Sequence, residues 1–179
     1  MSLGSFALQN FLLEHSGDLD AAALSGTTAL DVLVSNMDPD AGADLSAFNA
    51  AFEPGRTGYE WLSRDEAEVD AYVADEDCGF VFEDAGLTAM FSGSARTSDP
   101  EASRAIRPDL PVYLLSGTDD PLAGGGQLVE LVGQRYRDAG LADVSVRLYP
   151  GARHEVLNET NRDEVTADLL AWLDRVTAR

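Results

Sequence analysis

In the last third of the chain, apolar positions follow two alternating rhythms. Val112–Leu115 and Val144–Leu148 are short β-like runs, and each ends in a turn carrying an acid or a histidine. The first turn reads Ser116-Gly117-Thr118-Asp119-Asp120-Pro121, and the second Tyr149-Pro150-Gly151-Ala152-Arg153-His154. A helical period follows each. The pattern predicts a strand over 111–116, a helix over 126–139 closed by Gly140, a strand over 143–149 and a helix over 161–176. The last helix sets Val165, Leu169, Trp172, Leu173 and Val176 on one stripe.

Nearer the front, residues 5–13 predict a helix with Phe6, Leu8, Phe11 and Leu12 on one broad face, and Gly17 lies just beyond it. Ala21–Leu24 reads as a short buried strand entering the small-residue turn Ser25-Gly26-Thr27-Thr28. From about Asp31 to Pro108 the alternation disappears. Apolar side chains recur at helical spacing among acids, at Phe48/Phe52, Tyr59/Trp61/Leu62, Val69/Tyr72/Val73, Phe80/Phe82 and Leu87/Met90/Phe91. This texture predicts several short helices forming a lid. The expected organisation is a first helix and core strand over 1–30, a helical cap over 31–108, and a C-terminal α/β core over 109–179. Three strands are few for a parallel sheet that must be covered on both faces, so the chain reads as the back half of something larger.

Composition narrows the partners. Twelve basic residues stand against 32 acids, a net charge of −20, and the basic residues include no lysine. Such a surface repels nucleic acid and anionic membranes, and neither is expected as a partner. One cysteine, Cys78, excludes an intramolecular disulfide. No run approaches the length of a membrane span and no leader pattern opens the chain, so a cytoplasmic location without stable membrane insertion is expected.

Several candidate chemistries fall away. Two distant histidines and one cysteine make no metal cluster, and no cofactor is expected. Ala123-Gly124-Gly125-Gly126 lacks the Gly-Lys-Ser/Thr ending of a phosphate loop. His15, near the end of the first helix, suits a cation offsetting the helix dipole. What remains is a pair: an acid at Asp120, or its neighbour Asp119, and His154. Adjacent parallel strands bring their C-terminal turns side by side, where a carboxylate can orient an imidazole. An acid followed 34 residues later by a histidine requires a serine upstream, and Ser2-Leu3-Gly4 directly before a helix supplies the second half of a nucleophile elbow. An amino-terminal-nucleophile enzyme using Ser2 needs a largely antiparallel fold, which the strand–helix texture opposes.

These residues resemble the α/β-hydrolase superfamily, in its serine aminopeptidase and monoacylglycerol lipase-like (lysophospholipase-like) branch. Ser2-Leu3-Gly4-Ser5-Phe6 is similar to the elbow from the serine onward. Phe48-Asn49, Arg56-Thr57, Trp61-Leu62-Ser63-Arg64-Asp65, Val69-Asp70 and Cys78-Gly79-Phe80 resemble the cap of one bacterial group. Ser116-Gly117-Thr118-Asp119-Asp120-Pro121 and Gly151-Ala152-Arg153-His154-Glu155-Val156-Leu157-Asn158-Glu159 resemble the acid and histidine motifs. The resemblance implies the C-terminal part of an α/β-hydrolase fold with a helical cap, and hydrolysis of a small ester or lipid-like substrate. It implies Ser2 as nucleophile, His154 as base, Asp120 as its partner, and the Leu3 backbone N–H as an oxyanion donor. The family's first strands and second oxyanion amide have no counterpart here. An open sheet edge inviting self-association is therefore expected, with an inactive truncated interaction module as the alternative to an active hydrolase.

Overall fold

The computed structural model describes residues 2–36, 45–79 and 84–178. In chain order the elements are α1 (Leu3–His15), β1 (Ala22–Ser25), α2 (Leu30–Ser35), α3 (Glu66–Ala74), α4 (Asp84–Thr97), α5 (Pro100–Ser103), β2 (Val112–Gly117), α6 (Gln127–Asp138), β3 (Val144–Tyr149) and α7 (Arg162–Thr177). Short 3-10 turns cover Ser16–Asp18, Leu45–Phe52 and Val156–Asn158. Phe80 and Phe82, expected in the cap, lie outside the described residues, as do the side chains of Leu87 and Phe91.

The strands form a parallel sheet in the order β1-β2-β3, with Leu24 opposite Leu114 and Leu114 opposite Val146. β2 is the middle strand and every one of its residues is buried. The period-2 alternation of a strand explains how. Val112 and Leu114 point into one core with Leu24, with Leu12 and Leu13 of α1, and with Val129, Val132 and Tyr136 of α6. Tyr113 and Leu115 point the other way, onto Tyr149 and the Val165, Trp172 and Val176 stripe of α7. Leu169 and Leu173, expected on that stripe, pack against the same cluster half-buried. Each fully buried aliphatic side chain contributes about 1.5–3 kcal/mol, so β2 anchors both layers.

Helix ends follow local chemistry. α6 stops where Gly140 takes φ 104° and Leu141 N–H reaches back to the Tyr136 carbonyl, a left-handed cap that glycine favours. α1 starts two residues earlier than its apolar period predicts, because the Ser2 carbonyl accepts from the Ser5 and Phe6 amides and closes the first turn. At its other end the His15 ring stacks on Phe11, with centroids 4.6 Å apart, and lies 3.4 Å from Asp18. Its position there is the structural one expected. No helix among the described residues is long and apolar enough to cross a membrane.

A third cluster, Phe6, Leu30, Trp61, Leu62 and Leu122, joins α1 and the middle segment to the core. The loop before Trp61 is organised by Glu60. Its carboxylate accepts from the Arg56, Thr57 and Gly58 amides, the Thr57 hydroxyl and the Asn49 side chain. Burial alone would raise its pKa, but these donors, led by Thr57, bring it down to about 2 from an ordinary 4.5. The loop therefore gains stability above about pH 4.5 that is lost as pH falls toward 2. For a partly exposed group this amounts to about 1–2 kcal/mol after solvent screening. Melting the parent and Glu60→Gln side by side should show a stability gap at pH 6 that narrows through pH 3 and closes only toward pH 2. A pH-independent gap would count against the ionised carboxylate as the organiser.

Candidate active site

Three turns meet at the carboxyl ends of the strands. The first leaves β2 at Gly117. Asp120, 1% exposed, folds back so that its Oδ1 accepts the Leu122 amide at 2.9 Å and its Oδ2 accepts the Ser116 hydroxyl at 3.2 Å. The second leaves β3 at Tyr149 and turns at Gly151, which takes φ 71°. The two turns are laced together: Thr118 N–H donates to the Tyr149 carbonyl at 3.1 Å, Asp119 N–H to Ala152 at 2.9 Å, and Gly151 N–H to the Thr118 hydroxyl at 2.8 Å. No space separates them at Gly117, where a Cβ would stand 1.9 Å from the Ala152 oxygen.

The lacing brings His154 Nδ1 to 2.9 Å from Asp120 Oδ2, with the imidazole 1% exposed. A carboxylate only accepts, so Nδ1 carries the proton and Nε2 presents its lone pair. That Nε2 is buried and has no hydrogen-bond partner among the described residues. Asp119, the competing acid, is exposed and takes the Thr118 hydroxyl at 3.2 Å, while its amide braces the histidine turn. The structure thus separates two acids that the sequence leaves side by side.

The third turn carries Ser2. Its φ of 50° and ψ of −117° make it the sole non-glycine residue with positive φ among those described. Such a conformation costs about 1–3 kcal/mol and persists where the surroundings impose it. Ser2 N–H donates to the Ser25 carbonyl at 3.2 Å, at the end of β1. The next residue, Gly26, abuts the imidazole, and a Cβ there would come within 2.9 Å of His154 Cε1. Ser2 and His154 therefore flank the same Ser25-Gly26 turn, and no hydrogen bond joins them among the described residues. The Leu3 N–H opens α1, where the first turn leaves amides without intrahelical acceptors. Beside Leu3 a groove of about 460 Å³ runs between α1 and α4, lined by Phe6, Ala7, Asn10, Met90 and Arg96 among others.

Residues to which the sequence assigns no role hold the histidine turn to the middle segment. His154 N–H donates to the Trp61 carbonyl at 3.3 Å and Glu155 N–H to Leu62 at 2.8 Å. Arg153 reaches the Glu60 and Ser63 carbonyls at 2.5 and 3.0 Å and lies over the Phe52 ring. The Trp61 and His154 rings sit 5.0 Å apart. Glu159, fully buried, bridges the two segments. Burial pushes its carboxyl pKa up, but the Arg153 amide, the Arg64 side chain and two further backbone amides outweigh that and hold it below the usual range. In a chain with 32 acids, residue type alone does not mark Glu60 or Glu159 for this purpose.

The profile of the family described as serine aminopeptidase, S33, matches residues 1–161. A monoacylglycerol lipase of Mycolicibacterium smegmatis is 31% identical over 115 residues, covering 63% of this chain and 38% of that protein. The crystal structure of a highly thermostable carboxyl esterase from Bacillus coagulans superposes with a TM-score of 0.78 at 23% identity, over 96% of this chain and 62% of that one. A lipase in its open form gives a TM-score of 0.72 at 26% identity, over 98% and 63%. The chain thus spans less than two thirds of the length of these relatives.

Proposed function

Because this chain belongs to the serine aminopeptidase (S33) family of α/β-hydrolases, we propose that its residues carry out carboxylic ester hydrolysis, on monoacylglycerol-like substrates, through an acyl-enzyme. The observation that carries this reading is the buried Asp120–His154 pair, with Nε2 free, across the Ser25-Gly26 turn from a strained Ser2. Ser2 Oγ attacks the ester carbonyl while His154 Nε2 takes its proton, and Asp120 stabilises the resulting imidazolium. The Leu3 amide donates to the oxyanion. Collapse expels the alcohol, which receives the proton from His154. Water then attacks the acyl-enzyme with His154 again as base, releasing the carboxylic acid and restoring Ser2. The groove beside Leu3 takes the acyl chain, which its apolar lining from Phe6, Ala7 and Met90 suits.

A second reading is favoured by the lack of a hydrogen bond between Ser2 and His154 among the described residues. In this reading the chain assembles the acid–base pair but acts only as an interaction module. The outer edge of β1, unpaired among the described residues, is then the surface for self-association. Fluorophosphonate labelling with intact mass and peptide mapping separates the two. An adduct on Ser2, absent from Ser2→Ala, is expected. A folded parent chain that takes no adduct would leave the second reading standing.

A further inference from the structure

We infer that Glu159 is a positioning residue that latches the His154 turn to the middle segment, so that the placement of residues 60–64 sets the alignment of the histidine. The inference builds on the ester-hydrolase reading, in which His154 is the base.

The Glu159 carboxylate touches both segments through main-chain amides on a single oxygen. Oε1 accepts the Arg153 amide at 2.8 Å and the Arg64 amide at 3.1 Å. Oε2 accepts Arg64 Nε at 2.8 Å and the Thr160 amide at 2.9 Å. Arg153 directly precedes His154, whose own amide donates to Trp61, and Glu155 donates to Leu62. Three consecutive amides of the histidine turn are therefore held, the first by Glu159 and the next two by carbonyls of the segment that Glu159 grips. The Ser63 hydroxyl closes the far side on the Asn158 carbonyl at 2.8 Å.

A carboxylate is needed because all its partners are donors. A glutamine in its place would offer one oxygen and two N–H groups, so at least one set of donors would face another donor in a site closed to water. The turn would relax away from Trp61 and Leu62, and His154 would lose its fixed approach to Asp120. Misplacing a reacting group by about 1 Å costs about 10²-fold in rate, and partial relaxation costs less.

The test compares Glu159→Gln with the parent chain by two readouts on demonstrably folded protein. One is the low-field proton resonance of His154 Nδ1–H, which reports the hydrogen bond to Asp120 and needs no turnover. The other is the rate of fluorophosphonate labelling at Ser2. The expected result is a resonance broadened or lost and labelling slowed about 10–100-fold. An unchanged resonance with unchanged labelling, even at a lower melting temperature, would make Glu159 a purely stabilising residue and overturn the inference. Where Glu159→Gln does not fold, Arg64→Gln removes one arm of the latch and is read the same way, with about a 3–10-fold loss expected. A parent chain that shows the resonance but takes no adduct contradicts the esterase reading alone. The latch is then decided by the resonance.

Discussion

Asp120→Asn should slow labelling of Ser2 by about 10⁴-fold while leaving the fold in place. The two side chains are the same shape, so packing around this buried position is kept. What changes is the proton inventory. Asp120 accepts from His154 Nδ1 and Ser116 Oγ on one oxygen and from the Leu122 amide on the other. An asparagine keeps a single acceptor. If its oxygen serves Leu122, its NH₂ faces the imidazole and forces the tautomer with the proton on Nε2, which cannot act as a base. Rotating the amide instead strands the Leu122 N–H. The measurement is the labelling rate across pH alongside thermal melting. Asp119→Asn serves as the control and should stay within about two-fold, because that side chain is exposed. A loss below about ten-fold for Asp120→Asn would sink the assignment of Asp120 as the partner of the base.

Gly117→Ala should cost more than about 4 kcal/mol of stability, the range reserved for substitutions with a specific steric cause. A Cβ at this position would sit 1.9 Å from the Ala152 oxygen, 2.2 Å from its carbonyl carbon and 2.4 Å from the Arg153 oxygen. All three atoms are backbone, so no rotamer change relieves them. The turn bearing His154 would have to move as a body, breaking the bonds from Thr118 and Asp119 that lace it to the Asp120 turn. Gly17, where a Cβ meets nothing within 4 Å, is the matched comparison, and Gly17→Ala should change stability by no more than about 0.5 kcal/mol. Urea unfolding followed by tryptophan fluorescence measures both. Equal stabilities for the two variants would mean that the strand-end packing is looser than these distances describe.

The α/β core is legible because β2 is a nearly continuous apolar run and β3 an alternating one, each punctuated by turn residues, and the α7 stripe because Val165–Val176 keeps a helical period over about three turns. Asp120 and His154 are legible as a pair from their positions after successive strands. Residue type leaves Asp119 and Asp120 open; the resemblance of Ser116–Pro121 to the acid motif picks Asp120, and it is the Asp120 carboxylate that meets the imidazole. The start of α1 escapes the apolar spacing by two residues, because the Ser2 carbonyl sets the first turn. Glu60 and Glu159 are illegible as organisers for another reason. An acid satisfied by backbone amides is indistinguishable, by residue type, from an acid dissolved on the surface of a strongly acidic chain. The donors that identify Glu159 include Arg64, 95 residues away in sequence.

The bonds between residues 60–64 and the histidine turn also bear on how such proteins can be recombined. Some 95 residues of the 179-residue chain separate Arg64 from Glu159, yet mechanically the two stretches are one part. A chimaera that exchanged 45–65 alone would place foreign carbonyls under the amides of His154 and Glu155 and leave Glu159 to grip an unmatched partner. Exchanging 45–65 together with 151–162 transfers the joint intact. The unit of inheritance for this site is a pair of segments rather than a single stretch of chain.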